Sequence, residues 1–356
     1  MPAMRACLMM FLATFGILPT PIGANADKSQ WVVLTSGIDT NLRGISADFT
    51  RPLSESGDHS VVIWVCGSNG VILRSIDEGK TWSHLHVEGG DKLDFRGIRS
   101  FGASIAYVMS VGDSGKSRIY KTTDAGQTWR FQYADQRREF FLDALVCESE
   151  ARCFALSDPI DGKFLLLRTE DGERWQELPR DEMPDALPSE GAFAASNSSL
   201  AFCGRDAMFF GTGGSAARVF HSVDAGLSWN VVRTPVLSGN ASSGIFSLRC
   251  AGETLVAVGG DYRTPAGVLR VAATSADGGR TWKVAEHQPE GFRSAVEAVD
   301  GKTWIAVGTS GEDISTDRGM HWKRSASLDL NAVLVLNDRT ILAVGPNGTV
   351  TRFNVP

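Results

Sequence analysis

The chain has 356 residues, 43% of them hydrophobic and 21% charged, an ordinary globular composition that excludes a disordered or low-complexity polymer. It carries 38 glycines against 13 prolines, which points to many tight turns. Lys and Arg number 35 against 41 Asp and Glu, a net charge of −6, and with no basic tail the chain is not expected to bind nucleic acid.

Residues 1–26 read as a secretory signal. Met1 to Arg5 is a short positive region, Cys7 to Leu18 is apolar, and Ala24-Asn25-Ala26 places small residues where a signal peptidase reads them. The apolar run is shorter than the ~20 residues of a spanning helix. No later segment is long and apolar enough either, so an integral membrane protein is not expected. Cys7 precedes the apolar core and is no lipoprotein anchor. Cleavage after Ala26 leaves 34 basic and 41 acidic residues, net −7, in a periplasm or outside the cell. Oxidising conditions there permit disulfides. Cys147 and Cys153 would sit at the mouth of one hairpin and form a candidate pair; the pairing of Cys66, Cys203 and Cys250 is left open, and an odd count leaves a free thiol.

One octad recurs along the rest of the chain. Ser75-Ile-Asp77-Glu-Gly79-Lys-Thr81-Trp82 is followed by Thr122-Thr-Asp124-Ala-Gly126-Gln-Thr128-Trp129, Ser222-Val-Asp224-Ala-Gly226-Leu-Ser228-Trp229 and Ser275-Ala-Asp277-Gly-Gly279-Arg-Thr281-Trp282. Ser315-Thr-Asp317-Arg-Gly319-Met-His321-Trp322 is a looser copy, and Thr169-Glu-Asp171-Gly172-Glu-Arg-Trp175 has lost one residue. The octad has the chemistry of a turn: aspartate accepts from nearby backbone N–H groups, glycine supplies positive φ, and tryptophan opens the next strand. Successive tryptophans are 40 to 54 residues apart, the interval of a four-stranded propeller blade. Trp31 lies 51 residues before Trp82, while the chain ends in three strands without a tryptophan. The N-terminal strand should therefore complete the last blade. The expectation is an all-β fold, a single seven-bladed β-propeller over residues 27–356. The longest connector, Glu177 to Glu190, reads as a loop, and Gly211-Thr-Gly-Gly214 as a turn.

The octad is similar to the Asp-box, or BNR repeat, with Asp77, Asp124, Asp171, Asp224, Asp277 and Asp317 in structural roles. The layout more closely resembles the photosystem II stability/assembly factor family and its relatives in non-photosynthetic bacteria. The residues that carry this are the N-terminal closing tryptophan, the Leu42-Arg43-Gly44-Ile45 inner strand and the run from Gly67 to Trp82. The resemblance covers essentially all of Asp27 to Pro356. It implies a propeller that binds protein, with a role like an assembly or stability factor; in the photosynthetic family the partner is a nascent photosystem II subunit.

Candidate contact residues lie on the innermost strands, where one register aligns Arg43, Arg96, Asp143, Phe193, Phe246, Arg293 and Asn331. Three arginines with a carboxylate and an amide around one opening would suit an anionic group. Arg43, Arg96, Asp143, Arg293 and Asn331 are therefore the expected ligand-binding set. Sialidase chemistry is not expected: the four tyrosines, Tyr107, Tyr120, Tyr133 and Tyr262, all precede the last two blades, where the nucleophile would fall. Asp158, Asp161 and Glu190 are the candidates for acid or base work on a glycan. His84 and His86 lack a third ligand, so neither metal nor cofactor is expected. The reading is an exported, non-enzymatic, monomeric propeller that binds a protein partner or polymer of the cell envelope. Its alternative is a glycoside hydrolase or lyase acting on an exported polysaccharide.

Overall fold

Alternating apolar segments bounded by the octad turns form seven antiparallel sheets in a ring. The structure, a computed structural model, describes residues 31–35, 37–49, 61–337 and 340–354. The signal segment, residues 1–26, lies outside them. Blade one runs Leu42–Phe49, Val61–Gly67, Ile72–Ser75 and Ser83–Leu85, from the channel outward. Blade two begins at Asp94–Phe101, blade three at Leu142–Cys147, blade four at Leu200–Phe202, blade five at Asn240–Ala251, blade six at Ala295–Ala298 and blade seven at Ala332–Asn337. Each inner strand touches those of the neighbouring blades, and blade seven returns to blade one. Val32–Thr35 pairs antiparallel with Thr349–Asn354, so the N-terminal strand supplies the outer strand of blade seven and closes the ring.

The octad turns link the third and fourth strands of their blades and satisfy their own polar groups. In the first, the Thr81 N–H donates to Asp77 Oδ1 at 2.8 Å and the Thr81 hydroxyl to Oδ2 at 2.6 Å. The Ser75 hydroxyl donates to Asp77 Oδ1 and accepts from the Gly79 N–H, both at 2.8 Å. Asp124, Asp224, Asp277 and Asp317 repeat this arrangement, and Asp171 keeps a shortened form. The octad glycine answers two demands at once. Gly126 has φ of 85°, and a Cβ there would come within 2.4 Å of Leu85 on the preceding blade. Between blades the core is continuous: Tyr107, Met109 and Ile119 of blade two pack with Leu145, Leu165 and Leu167 of blade three.

Blade five departs from the simple repeat. Gly213–Gly214 and Glu190–Gly191 extend its sheet to six strands. The expected turn at Gly211 to Gly214 is therefore a crossing: Gly211 ends a strand of blade four, and Gly213 pairs with Gly244. Glycine permits this close approach, since a Cβ on Gly244 would stand 2.2 Å from the Gly213 Cα. The connector after Glu177 is packed down, with Leu178 and Met183 buried against blades three and four. Two disulfides are present among the described residues. Cys147–Cys153 closes the blade-three hairpin, and Cys203–Cys250 joins the inner strands of blades four and five; Cys66 is free and buried. No helix among the described residues is long and apolar enough to cross a membrane.

Candidate functional site

Four inner strands carry a β-bulge at one level. Pairing slips between Leu42 and Gly44, Phe95 and Gly97, Leu142 and Ala144, and Ile245 and Ser247. The residues left out of the ladder are Arg43, Arg96, Asp143 and Phe246. A bulge re-aims a side chain, and here it turns all four into the channel mouth. Together with Phe193 and Asn331 they line a cavity of about 440 Å³. The glycine after each arginine is the trace of this geometry: a Cβ on Gly44 would meet the Cys66 sulfur at 2.7 Å, and one on Gly97 the Asn197 amide at 2.6 Å.

The mouth has two unlike halves. Blades one to three contribute charge. Arg96 donates through Nε to Asp94 Oδ2 at 2.8 Å, holds the same carboxylate through Nη2 at 2.7 Å, and bonds the Ala194 carbonyl at 2.9 Å. Burial, and then the charge of Arg96, lowers the Arg43 guanidinium from its usual value, while Asp94 and Asp329 oppose that. Asp143 is 1% exposed, and neither carboxylate oxygen has a hydrogen-bond partner among the described residues. Burial and the nearby Asp158 push its pKa well up, against the pull of Arg96. The other half is aromatic. Phe193 stacks on Phe246 with ring centroids 3.8 Å apart, and Phe292 and Tyr262 meet Phe246 edge-on at 4.7 and 6.1 Å. Gly213 and Gly244 leave room for the Phe193 ring; a Cβ on either would strike it.

Two expectations need correction. Phe193 lies not on the inner strand of blade four but in the irregular segment leading to it, because Leu200–Phe202 takes that place. Arg293 does not line the mouth. It is fully buried, its Nε bonding Asp313 Oδ2 at 2.7 Å and its Nη1 the Phe292 carbonyl and Ser310 hydroxyl at 2.7 Å each. Asn331 reaches the mouth but spends its amide on the Leu42 carbonyl at 2.7 Å. The sequence reading missed Phe292 and Tyr262; Phe292 directly precedes the aligned Arg293, and widening the register by one residue would have found it.

The three carboxylates considered for acid or base chemistry have different fates. Glu190 is saturated by Arg218, by the Thr212 hydroxyl at 2.6 Å and by the Leu187 N–H at 2.8 Å. Asp161 is exposed in a tight turn, with φ of 53° followed by 78° at Gly162. Asp158 lines a cleft of about 770 Å³ that shares Ala192 and Phe193 with the mouth. Burial pushes its pKa up to about 6, although the Ala192 N–H bonded to Oδ1 at 2.9 Å favours the anion. At the opposite end of the channel, Arg99 and the Arg249–Glu297 pair line a second cavity of about 620 Å³. Among the described residues no cluster of three His, Cys, Asp or Glu side chains could hold a metal.

Fold and site together define a seven-bladed β-propeller with an amphipathic pocket at one channel mouth. No family model matches the chain, and no curated protein matches it in sequence. Among solved structures it is similar to YCF48 bound to a D1 peptide: TM-score 0.61 at 13% identity, over 95% of this chain and 100% of that one. YCF48 from Cyanidioschyzon merolae gives 0.60 at 15% identity, over 91% and 98%. The Cps50 (Swd1) β-propeller domain of Myceliophteria thermophila gives 0.57 at 13%, over 91% and 98%. At these identities the likeness is one of fold, and it agrees with the seven-bladed propeller expected from the sequence.

Proposed function

We propose that this chain is an exported, non-enzymatic β-propeller that binds a protein partner through the face carrying the Arg43–Asp143 mouth, as an assembly- or stability-type factor. The observation that carries this reading is the mouth itself, where bulges on four blades aim charged and aromatic side chains at one opening. Aromatic side chains beside arginine are the composition of protein-binding hot spots. The solved YCF48 bound to a D1 peptide supports a peptide or protein as the occupant. The signal segment and the two disulfides support export to an oxidising compartment.

The test is capture from the envelope of the native host, with the mature protein beside an Arg43→Ala/Arg96→Ala variant whose melting temperature is matched. The expected outcome is a partner held by the wild type and lost with the variant. Equal capture by both removes the mouth from the proposal. A second reading is favoured by one observation, the carboxyl of Asp158 lifted to about 6 by burial in a cleft. That reading is acid–base cleavage of an envelope glycan, and it requires turnover that Asp158→Asn abolishes.

A further inference from the structure

Hydrogen bonding at the mouth points away from the anion that the arginines alone would call for. Arg96 is committed to Asp94 and the Ala194 carbonyl, Arg43 donates to the Asn41 side-chain oxygen at 3.1 and 3.2 Å, Asn331 is held by Leu42, and Arg293 is turned onto Asp313. Asp143 alone among these is buried with both oxygens unpartnered among the described residues. A carboxylate out of water without donors is costly, and native proteins rarely leave one so. The unmet demand of the pocket is therefore for N–H or O–H donors, best carried by a cation. The same cavity is lined by Phe193, Phe246 and Phe292, an apolar surface that takes methylene groups and whose aromatic rings attract a cation.

We propose that the mouth receives a lysine side chain of the partner protein, its ammonium seated on the Asp143 carboxylate and its methylenes laid along Phe193 and Phe246. The proposal rests on the protein-partner reading above and names the anchor. An ammonium carries three donors on a compact head, enough for both Asp143 oxygens. A slender stem suits a carboxylate set this deep, where a planar guanidinium is broader and a main-chain terminus bulkier. The charged groups acting on Asp143 are Asp158, on the second strand of its own blade, and Arg96, on blade two. Both burial and Asp158 favour the protonated acid in the empty pocket, so seating an ammonium expels that proton.

The probe is Nα-acetyl-lysine methylamide, titrated calorimetrically into the full chain from pH 5 to 9, where the probe keeps its charge. Expected are uptake at one site, proton release on binding, and an affinity that climbs towards tenfold per pH unit below the Asp143 pKa. Asp143→Asn should weaken binding at least tenfold while leaving the melting temperature equal or higher. Equal binding of the Nε-acetylated probe, or full binding by Asp143→Asn, overturns the proposal. Tighter binding of the arginine analogue, or of phenylalanine amide with its free amino terminus, overturns lysine in favour of that cation. If the envelope partner is captured while the lysine probe fails, the anchor falls and the partner reading stands. If no partner is captured at all, that reading falls whatever the probe does.

Discussion

Asp77 and Asp143 are the same residue in the same fold, and the protein treats them in opposite ways. At the rim, hydrogen bonds from the Thr81 hydroxyl and backbone hold the Asp77 carboxylate down to about 2, and the octad supplies every donor from within eight residues. At the hub, Asp143 comes from a bulge, meets no donor among the described residues, and is pushed up by burial. A propeller repeats its blades, so the rim is solved once and copied. Its inner strands converge on one opening, to which blades one and two bring arginine, blade three aspartate and blade five phenylalanine. The rim satisfies its polar groups within each turn; at the hub the Asp143 oxygens have no partner among the described residues.

The strongest way to break that contrast is through Arg293, which belongs to the aligned hub positions yet behaves as a strut. Replacing it with alanine leaves Asp313, 0% exposed, as an uncompensated buried charge, and should cost about 3–5 kcal/mol in urea unfolding. Loss of partner capture in any variant carrying this change would then report unfolding. A melting curve within a degree of wild type would return Arg293 to the binding set.

A second experiment asks whether the hub is held across blades or within them. Removing Cys203–Cys250, which spans 47 residues and joins two blades, should cost about 4 kcal/mol on the loop-entropy account; removing Cys147–Cys153, which spans 6, should cost about 2. Serine pairs at each site, compared by denaturant midpoint, check the order. Equal losses would mean that neither closure constrains the ring as argued.

The contrast also marks what could be read from residues alone. Seven blades and the closing N-terminal strand were legible because each octad makes its bonds locally and its tryptophan keeps the period. The level of the mouth was legible on blades one and two because Arg-Gly is the imprint of a bulge packed against a neighbour. Blade four was not, since Glu190–Gly191 and Gly213–Gly214 leave it for the sheet of blade five, and that depends on glycine backbones meeting across distant segments. Nor was the fate of Arg293, which is decided by Asp313 two strands away, or the isolation of Asp143, which is a property of everything around it.

The smallest effects give the sharpest form of the comparison, because rim and hub carboxylates must show opposite dependence on pH. Asp158, lifted to about 6, binds its proton more tightly folded than unfolded. Its contribution to stability is full below the unfolded value near 3.9 and is lost as pH rises through 6. Asp158→Asn should therefore stabilise the protein at pH 7 by roughly 1–3 kcal/mol and make no difference below about pH 4. Asp77 is depressed to about 2, so its contribution is present above 3.9 and lost as pH falls through 2. Asp77→Ala should cost about 1 kcal/mol at pH 7, with that cost fading as the solution is acidified. Denaturant midpoints at pH 7, 5 and 3 for the two variants test both signs at once. If Asp158→Asn destabilised the protein at pH 7, burial would not be lifting this carboxyl, and the opposite pH dependence of Asp77 and Asp158 would fail.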